Sequence, residues 1–162
     1  MKIGVITFYN VVNYGSMLQA YATWQYLKAR GHEVEFINQP FGRFGNSVPH
    51  RFLWCFRTRR LGVVRERFQD WIRFPMTEFA KDYPQSHRYN SIVELVNAQP
   101  NYDAVVVGAD LVWRPDWCAP EYTQAAFLAF APPGCKRIAY AASFCAKEWG
   151  LVSRDEVGAL LK

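Results

Sequence analysis

Three short segments of this chain carry side chains able to do chemistry, and each directly follows a run of apolar residues. In Gly108-Ala109-Asp110-Leu111-Val112-Trp113-Arg114-Pro115, one carboxylate, one indole and one guanidinium stand together. Asp110 is suited to orient or deprotonate a sugar hydroxyl, Trp113 to stack on the apolar face of a sugar ring, and Arg114 to pair with an anion. In Asn10 to Ser16, Asn13, Tyr14, Gly15 and Ser16 lead into a helical pattern whose first free N–H groups suit a carboxylate or phosphate. The third segment, Ser143-Phe144-Cys145, offers a hydroxyl and a thiol with no base nearby in sequence, which leaves little case for a nucleophile. Each has a plainer reading as well: Asp110 as a turn cap, Trp113 as core, and Asn13 or Ser16 as a helix cap.

These segments need a scaffold, and the pattern of elements supplies one. Lys2 to Thr7 reads as a strand, Ser16 to Arg30 as a helix, and Glu33 to Asn38 as a second strand ending before Pro40. In the helix, Met17, Tyr21, Trp24 and Leu27 recur at three- and four-residue spacing, and Gly31 is placed to stop it. Strand, helix and strand make a right-handed βαβ unit with parallel strands. Asp103 to Gly108 is a continuous apolar run, as expected of a strand buried on both faces, and Ile138 to Ala142 is read the same way. Ser91-Ile92-Val93-Glu94 is a capping box that opens a short helix ending before Pro100, and Ser153-Arg154-Asp155-Glu156 opens another. The expected fold class is therefore α/β: a Rossmann-like parallel sheet with helices on both faces. In such sheets ligands bind beyond the carboxyl ends of the strands, where the three segments fall.

The region from about 41 to 90 differs in composition and is expected to be a helical, Arg-rich insertion. Arg51 to Arg73 holds seven arginines among Phe, Trp and Leu, with Glu66 and Asp70 at helical spacing from them. That spacing favours a solvated, salt-bridged helix over a lipid or nucleic-acid surface. With 162 residues, 51% hydrophobic and 20% charged, the chain has the composition of a single globular domain. The formal net charge of +5 alone would admit nucleic acid, but no helix-turn-helix or finger signature accompanies it, so no nucleic-acid partner is expected. There is no G-x-G-x-x-G and no Walker motif. Cys55, Cys118, Cys135 and Cys145 form no C-x-x-C pair and lie far from His32, His50 and His87, so neither a metal site nor a metal cofactor is expected. The first residues lack a signal-peptide pattern, and the four cysteines read as free thiols of a reducing compartment. The final helical pattern is still running at Lys162, which reads as a piece of a longer chain.

Taken together, Asn13-Tyr14-Gly15-Ser16-Met17-Leu18-Gln19-Ala20-Tyr21-Ala22, Val106-Val107-Gly108-Ala109-Asp110-Leu111-Val112-Trp113 and Ile138-Ala139-Tyr140-Ala141-Ala142-Ser143-Phe144 resemble the amino-terminal half of the polysaccharide pyruvyl transferase family. The resemblance implies the first of two Rossmann-like domains in a glycosyltransferase-B-type fold, with the missing carboxyl-terminal domain as its partner. It implies transfer of the enolpyruvyl unit of phosphoenolpyruvate, as a ketal, to a sugar of a surface polysaccharide or its lipid-linked precursor. Phosphoenolpyruvate is then the donor substrate, no further cofactor is implied, and the location is cytoplasmic, with room for peripheral association at the inner membrane face. Asp110 is the implied catalytic residue, and Asn13, Tyr14, Gly15, Ser16, Gln19, Gly108, Trp113, Arg114 and Ser143 the implied substrate-binding set. The groups that hold phosphoenolpyruvate belong to the other half, so this piece alone is expected to be inactive. Where the family pattern reads Gly-Ser-Asp-Gln-x-Trp-Asn, this chain has Ala109, Leu111 and Arg114 in the Ser, Gln and Asn places, and Cys145 stands where Gly is common. Those exchanges leave open a sugar- or anion-binding module without chemistry.

Overall fold

The structure, a computed structural model, describes residues 1–11, 13–39, 78–114, 120–144 and 154–160. Five strands, β1 (Lys2–Ile6), β2 (Glu33–Asn38), β3 (Gln85–Arg88), β4 (Ala104–Asp110) and β5 (Lys136–Ala142), form one sheet in the order β3-β2-β1-β4-β5. Every pairing is parallel. Among the described residues the helices are α1 (Tyr14–Ala29), α2 (Ile92–Ala98), α3 (Pro120–Ala126) and α4 (Arg154–Leu160), and residues 78–81 are helical as well.

Alternation along the strands divides the core between the two faces. Ile3 and Val5 of β1, Val34 and Phe36 of β2, and Ala104 and Val106 of β4 pack with Met17 and Ala20 of α1. Ile6, Ile37, Val105 and Val107 point the other way, against Ile92 and Leu95 of α2 and Tyr122, Ala125 and Ala126 of α3. The central strands are therefore buried on both sides, which is why they read as unbroken apolar runs. Full burial of a side chain such as Leu95 or Val105 contributes about 1.5–3 kcal/mol.

α1 begins where Asn13, in extended backbone, accepts a hydrogen bond on its side chain from the Ser16 N–H at 3.2 Å. It ends where Gly31 adopts a φ of +78° and donates to the Lys28 carbonyl, a left-handed stop that glycine takes at no steric cost. The capping box of α2 is formed in part: Ser91 Oγ accepts from the Glu94 N–H at 3.1 Å, while the Glu94 carboxylate reaches the Asn90 N–H at 2.7 Å.

Several expectations are corrected. Tyr21 lies off the buried stripe of α1 and is 39% exposed, because Met17 and Ala20, with Trp24 and Leu27, are the residues that meet the sheet. The expected helical insertion closes with a strand: Gln85–Arg88 pairs with β2 across a register shift at Phe36/Asn38. Residues 40–77, including Arg51 to Arg73, lie outside the described residues, as do Cys55, Cys118, Cys145 and Ser153. β4 continues two residues past Gly108, so Gly108, Ala109 and Asp110 end a strand instead of opening a loop. β5 is not buried on both faces; Lys136 to Ala141 are all exposed, Tyr140 at 61%. α3 was not anticipated.

Candidate functional site

In this strand order the chain winds to opposite sides of β1, with β2 and β3 on one side and β4 and β5 on the other. The switch point falls between β1 and β4, and doubly wound sheets bind their ligands beyond the carboxyl ends of the strands at such a point. There the end of β1, the amino terminus of α1 and the end of β4 are joined by one polar network.

Asp110 is its charged member. One carboxylate oxygen, Oδ2, accepts from Ser16 Oγ at 2.5 Å, and Oδ1 accepts from the Leu111 N–H at 2.8 Å. The position beside the first turn of α1 also sets the carboxylate against the positive end of the helix dipole. Backbone bonds continue outward: the Asp110 carbonyl accepts from the Ser143 N–H at 3.0 Å, and the Ser143 carbonyl from the Trp113 N–H at 3.3 Å. Asp110 itself has a φ of +96°, a sparsely populated region that aspartate tolerates better than bulkier residues. Just before it, a Cβ on Gly108 would lie 2.0 Å from the Tyr140 carbonyl oxygen, so β4 and β5 approach too closely there for any side chain.

The inner part of the network is Thr7, which is fully buried. Its hydroxyl donates to the Ala109 carbonyl at 3.0 Å, so it must accept from Gln19 Nε2 at 2.7 Å. Gln19 Nε2 also donates to the Ser16 carbonyl at 2.8 Å. This settles the amide orientation and leaves Gln19 Oε1 enclosed with no donor among the described residues. An enclosed acceptor of this kind is satisfied by a hydroxyl or water proton.

The sequence candidates divide into two groups. Ser16, Gln19, Gly108 and Asp110, with the backbone of Ser143, come together, and Asn13, Tyr14 and Gly15 form the exposed lip above them. Trp113 turns away: its indole stacks on Phe127 at 5.1 Å with rings nearly parallel, touches Phe144, and donates from Nε1 to the Ala126 carbonyl at 2.9 Å. Arg114 is half-buried and closes the turn with a backbone bond to Leu111 at 3.0 Å. Thr7 was missed by the sequence reading; a hydroxyl ending an otherwise apolar strand was the available signal.

On the other side of α1, where the end of β2 runs beside β3, Tyr9 donates to Gln85 Oε1 at 3.2 Å, and Asn38 Nδ2 donates to the same oxygen at 3.2 Å. Burial raises the Tyr9 phenol far above its ordinary value, and the charge of nearby Arg88 offsets this in part. Among the described residues no three His, Cys, Asp or Glu side chains are grouped as a metal ion requires, and no helix is long and apolar enough to cross a membrane.

Fold and site thus define a doubly wound α/β protein with a hydrogen-bonded cluster of hydroxyls, an amide and a carboxylate at its switch point. The polysaccharide pyruvyl transferase family matches residues 13–162, and the chain belongs to that family. No curated protein and no solved structure matches it.

Proposed function

We propose that this chain is the acceptor-side domain of a pyruvyl transferase that takes the enolpyruvyl unit from phosphoenolpyruvate and closes it as a ketal on two hydroxyls of a glycan sugar. The observation that carries this reading is the meeting of Asp110, Ser16, Thr7 and Gln19 at the switch point of a chain of this family. In the balanced reaction, phosphoenolpyruvate and a diol give the ketal and inorganic phosphate. The methylene carbon gains one proton, one sugar oxygen adds to the adjacent carbon, phosphate leaves with its bridging oxygen, and the second sugar oxygen closes the ring. Of the two hydroxyl protons, one matches that delivered to carbon and the other leaves with phosphate.

Asp110 takes the hydroxyl proton in this reading: among the described residues each of its oxygens accepts one bond and keeps a second lone pair. Ser16 and the Leu111 N–H hold the carboxylate in one orientation, and Thr7 and Gln19 hold the α1 terminus against β4. Asn13, Tyr14 and Gly15 contact the sugar at the lip. Trp113, Arg114 and Ser143 shape the loop from behind. Cationic groups for the donor phosphate and carboxylate come from a second domain, so the 162-residue chain has no activity alone. The donor is a cytosolic metabolite, which sets the location in the cytoplasm, and a glycan or lipid-linked precursor is the acceptor.

The test is phosphate release from phosphoenolpyruvate with galactose-, mannose- and N-acetylmannosamine-containing acceptors. It is run on the full gene product and on the 162-residue chain, with Asp110→Asn in parallel. Acceptor-dependent release by the full product, reduced at least 100-fold in Asp110→Asn, is the expected result. Release by the 162-residue chain alone would overturn the division between domains. A full product that binds acceptor but releases no phosphate would instead favour the binding module allowed by Ala109, Leu111 and Arg114.

A further inference from the structure

Arg88 ends β3 at the carboxyl edge of the sheet, and it pairs in register with Asn38. Asn38 shares its face of β2 with Phe36, which packs toward α1; Val106, two residues before Gly108, faces α1 as well. Arg88 and Asp110 therefore lie at the same edge and on the same face of the sheet, with the amino terminus of α1 between them. In the order β3-β2-β1-β4 they are three strand intervals apart, about 14 Å at the usual spacing. That is the span of an extended ligand longer than one sugar ring.

Among the described residues, the groups that β2 and β3 bring to this edge are polar and uncharged apart from Arg88 and His87. Asn38, Gln85, Ser86 and the hydroxyl of Tyr9 supply amides and hydroxyls, and His87 packs on Tyr89 at 4.0 Å. Gln85 Oε1 collects two donors, Tyr9 and Asn38, which holds these groups in place. Arg88 is exposed, and among the described residues no carboxylate stands within ion-pair distance of it. Between Arg88 and Asp110, Tyr14 at the tip of α1 exposes 62% of its surface, a ring on which a sugar can stack.

We infer that Arg88 is a specificity-determining residue that holds a negative group of the acceptor, one sugar or a diphosphate link removed from the hydroxyls presented to Asp110. The acceptor lies across the tip of α1, over Tyr14. This inference rests on the acceptor-side reading above but is tested without turnover. A guanidinium beside neutral amides binds phosphate or carboxylate oxygens through paired N–H donors, so two sources share this chemistry: a diphosphate linkage or an acidic sugar.

Calorimetric titration of the 162-residue chain at low salt, with inorganic pyrophosphate in one arm and methyl glucuronide in the other, separates the sources. Binding of at least one anion is expected, weakened at least tenfold in Arg88→Gln and abolished in Arg88→Glu. Lys81→Gln, which removes an equal charge from another exposed site, should bind within twofold of wild type. Equal affinity in wild type and Arg88→Gln, equal losses in Arg88→Gln and Lys81→Gln, or no binding of either anion would each overturn the inference. Because no reaction is measured, an absence of phosphate release in the transferase assay leaves this result standing by itself.

Discussion

Removing the Ser16 hydroxyl should loosen the joint between α1 and β4 by an amount that the structure allows to be estimated. The bond to Asp110 is charge-assisted, 2.5 Å long and part-buried. Hydrogen bonds to charged groups contribute about 1.5–3 kcal/mol. Asp110 is half-buried, so water can partly replace the lost donor, and about 2 kcal/mol, toward the lower part of that range, is the expected loss in Ser16→Ala. At 162 residues, each kcal/mol shifts Tm by roughly 2–4 °C, giving a drop of about 4–8 °C. Asp110→Ala should cost more, since the Leu111 N–H also loses its acceptor and the φ of +96° suits alanine less than aspartate. Those extra terms are common to both arms of a double-mutant cycle. The cycle, measured by urea unfolding of the two single variants and the double, should isolate a coupling of about 1.5–3 kcal/mol. A coupling below about 0.5 kcal/mol, the usual additivity error, would refute the view that this pair joins the helix to the strand.

Two further outcomes follow from the aromatic residues. Trp113→Ala should destabilise the fold by about 3–5 kcal/mol, because it empties the space against Phe127 and Phe144 and removes the bond to Ala126; a variant of wild-type Tm would show that the indole serves only ligands. Burial raises the phenols of Tyr9 and Tyr102 and pushes Tyr83 up to about 12, with Glu35 also raising Tyr102. A group raised in the folded state favours folding below its unfolded value, near 10, and that contribution is lost as pH climbs through the folded value. Tm should therefore hold to about pH 10 and fall above it, with part of the tyrosinate absorbance appearing only on unfolding; native-state titration of all nine tyrosines near pH 10 would contradict this.

The parts of the fold legible in the sequence are those whose signals are local. Glu33 to Asn38 forms a strand over the span its alternation marks, and Gly31 stops α1 where it stands in the chain. Gln85–Arg88 was illegible because nothing in a polar run of four announces a strand; pairing with β2 makes it one. Gly108 reads as a turn signal, yet its missing Cβ serves the approach of Tyr140, and β4 runs on to Asp110. Ile138 and Tyr140 read as core because they are apolar, but no described element covers their face of β5. At the site, the helix-cap role of Asn13 could be read directly. The Ser16–Asp110 bond could not, since its partners are 94 residues apart and only the winding of the sheet brings them together.

That separation governs when the site comes into being. β1, α1 and β2 adjoin in sequence and can form early, whereas Thr7 finds the Ala109 carbonyl, and Ser16 the Asp110 carboxylate, only after closure of loops of 102 and 94 residues. Asp110 is then held from beyond by Ser143, so three distant stretches of chain must converge before the carboxylate has its orientation. A partly unfolded chain carries every residue of the network without the network itself. The arrangement proposed to receive an acceptor is thereby a late product of folding, and its formation reports that the whole sheet has assembled.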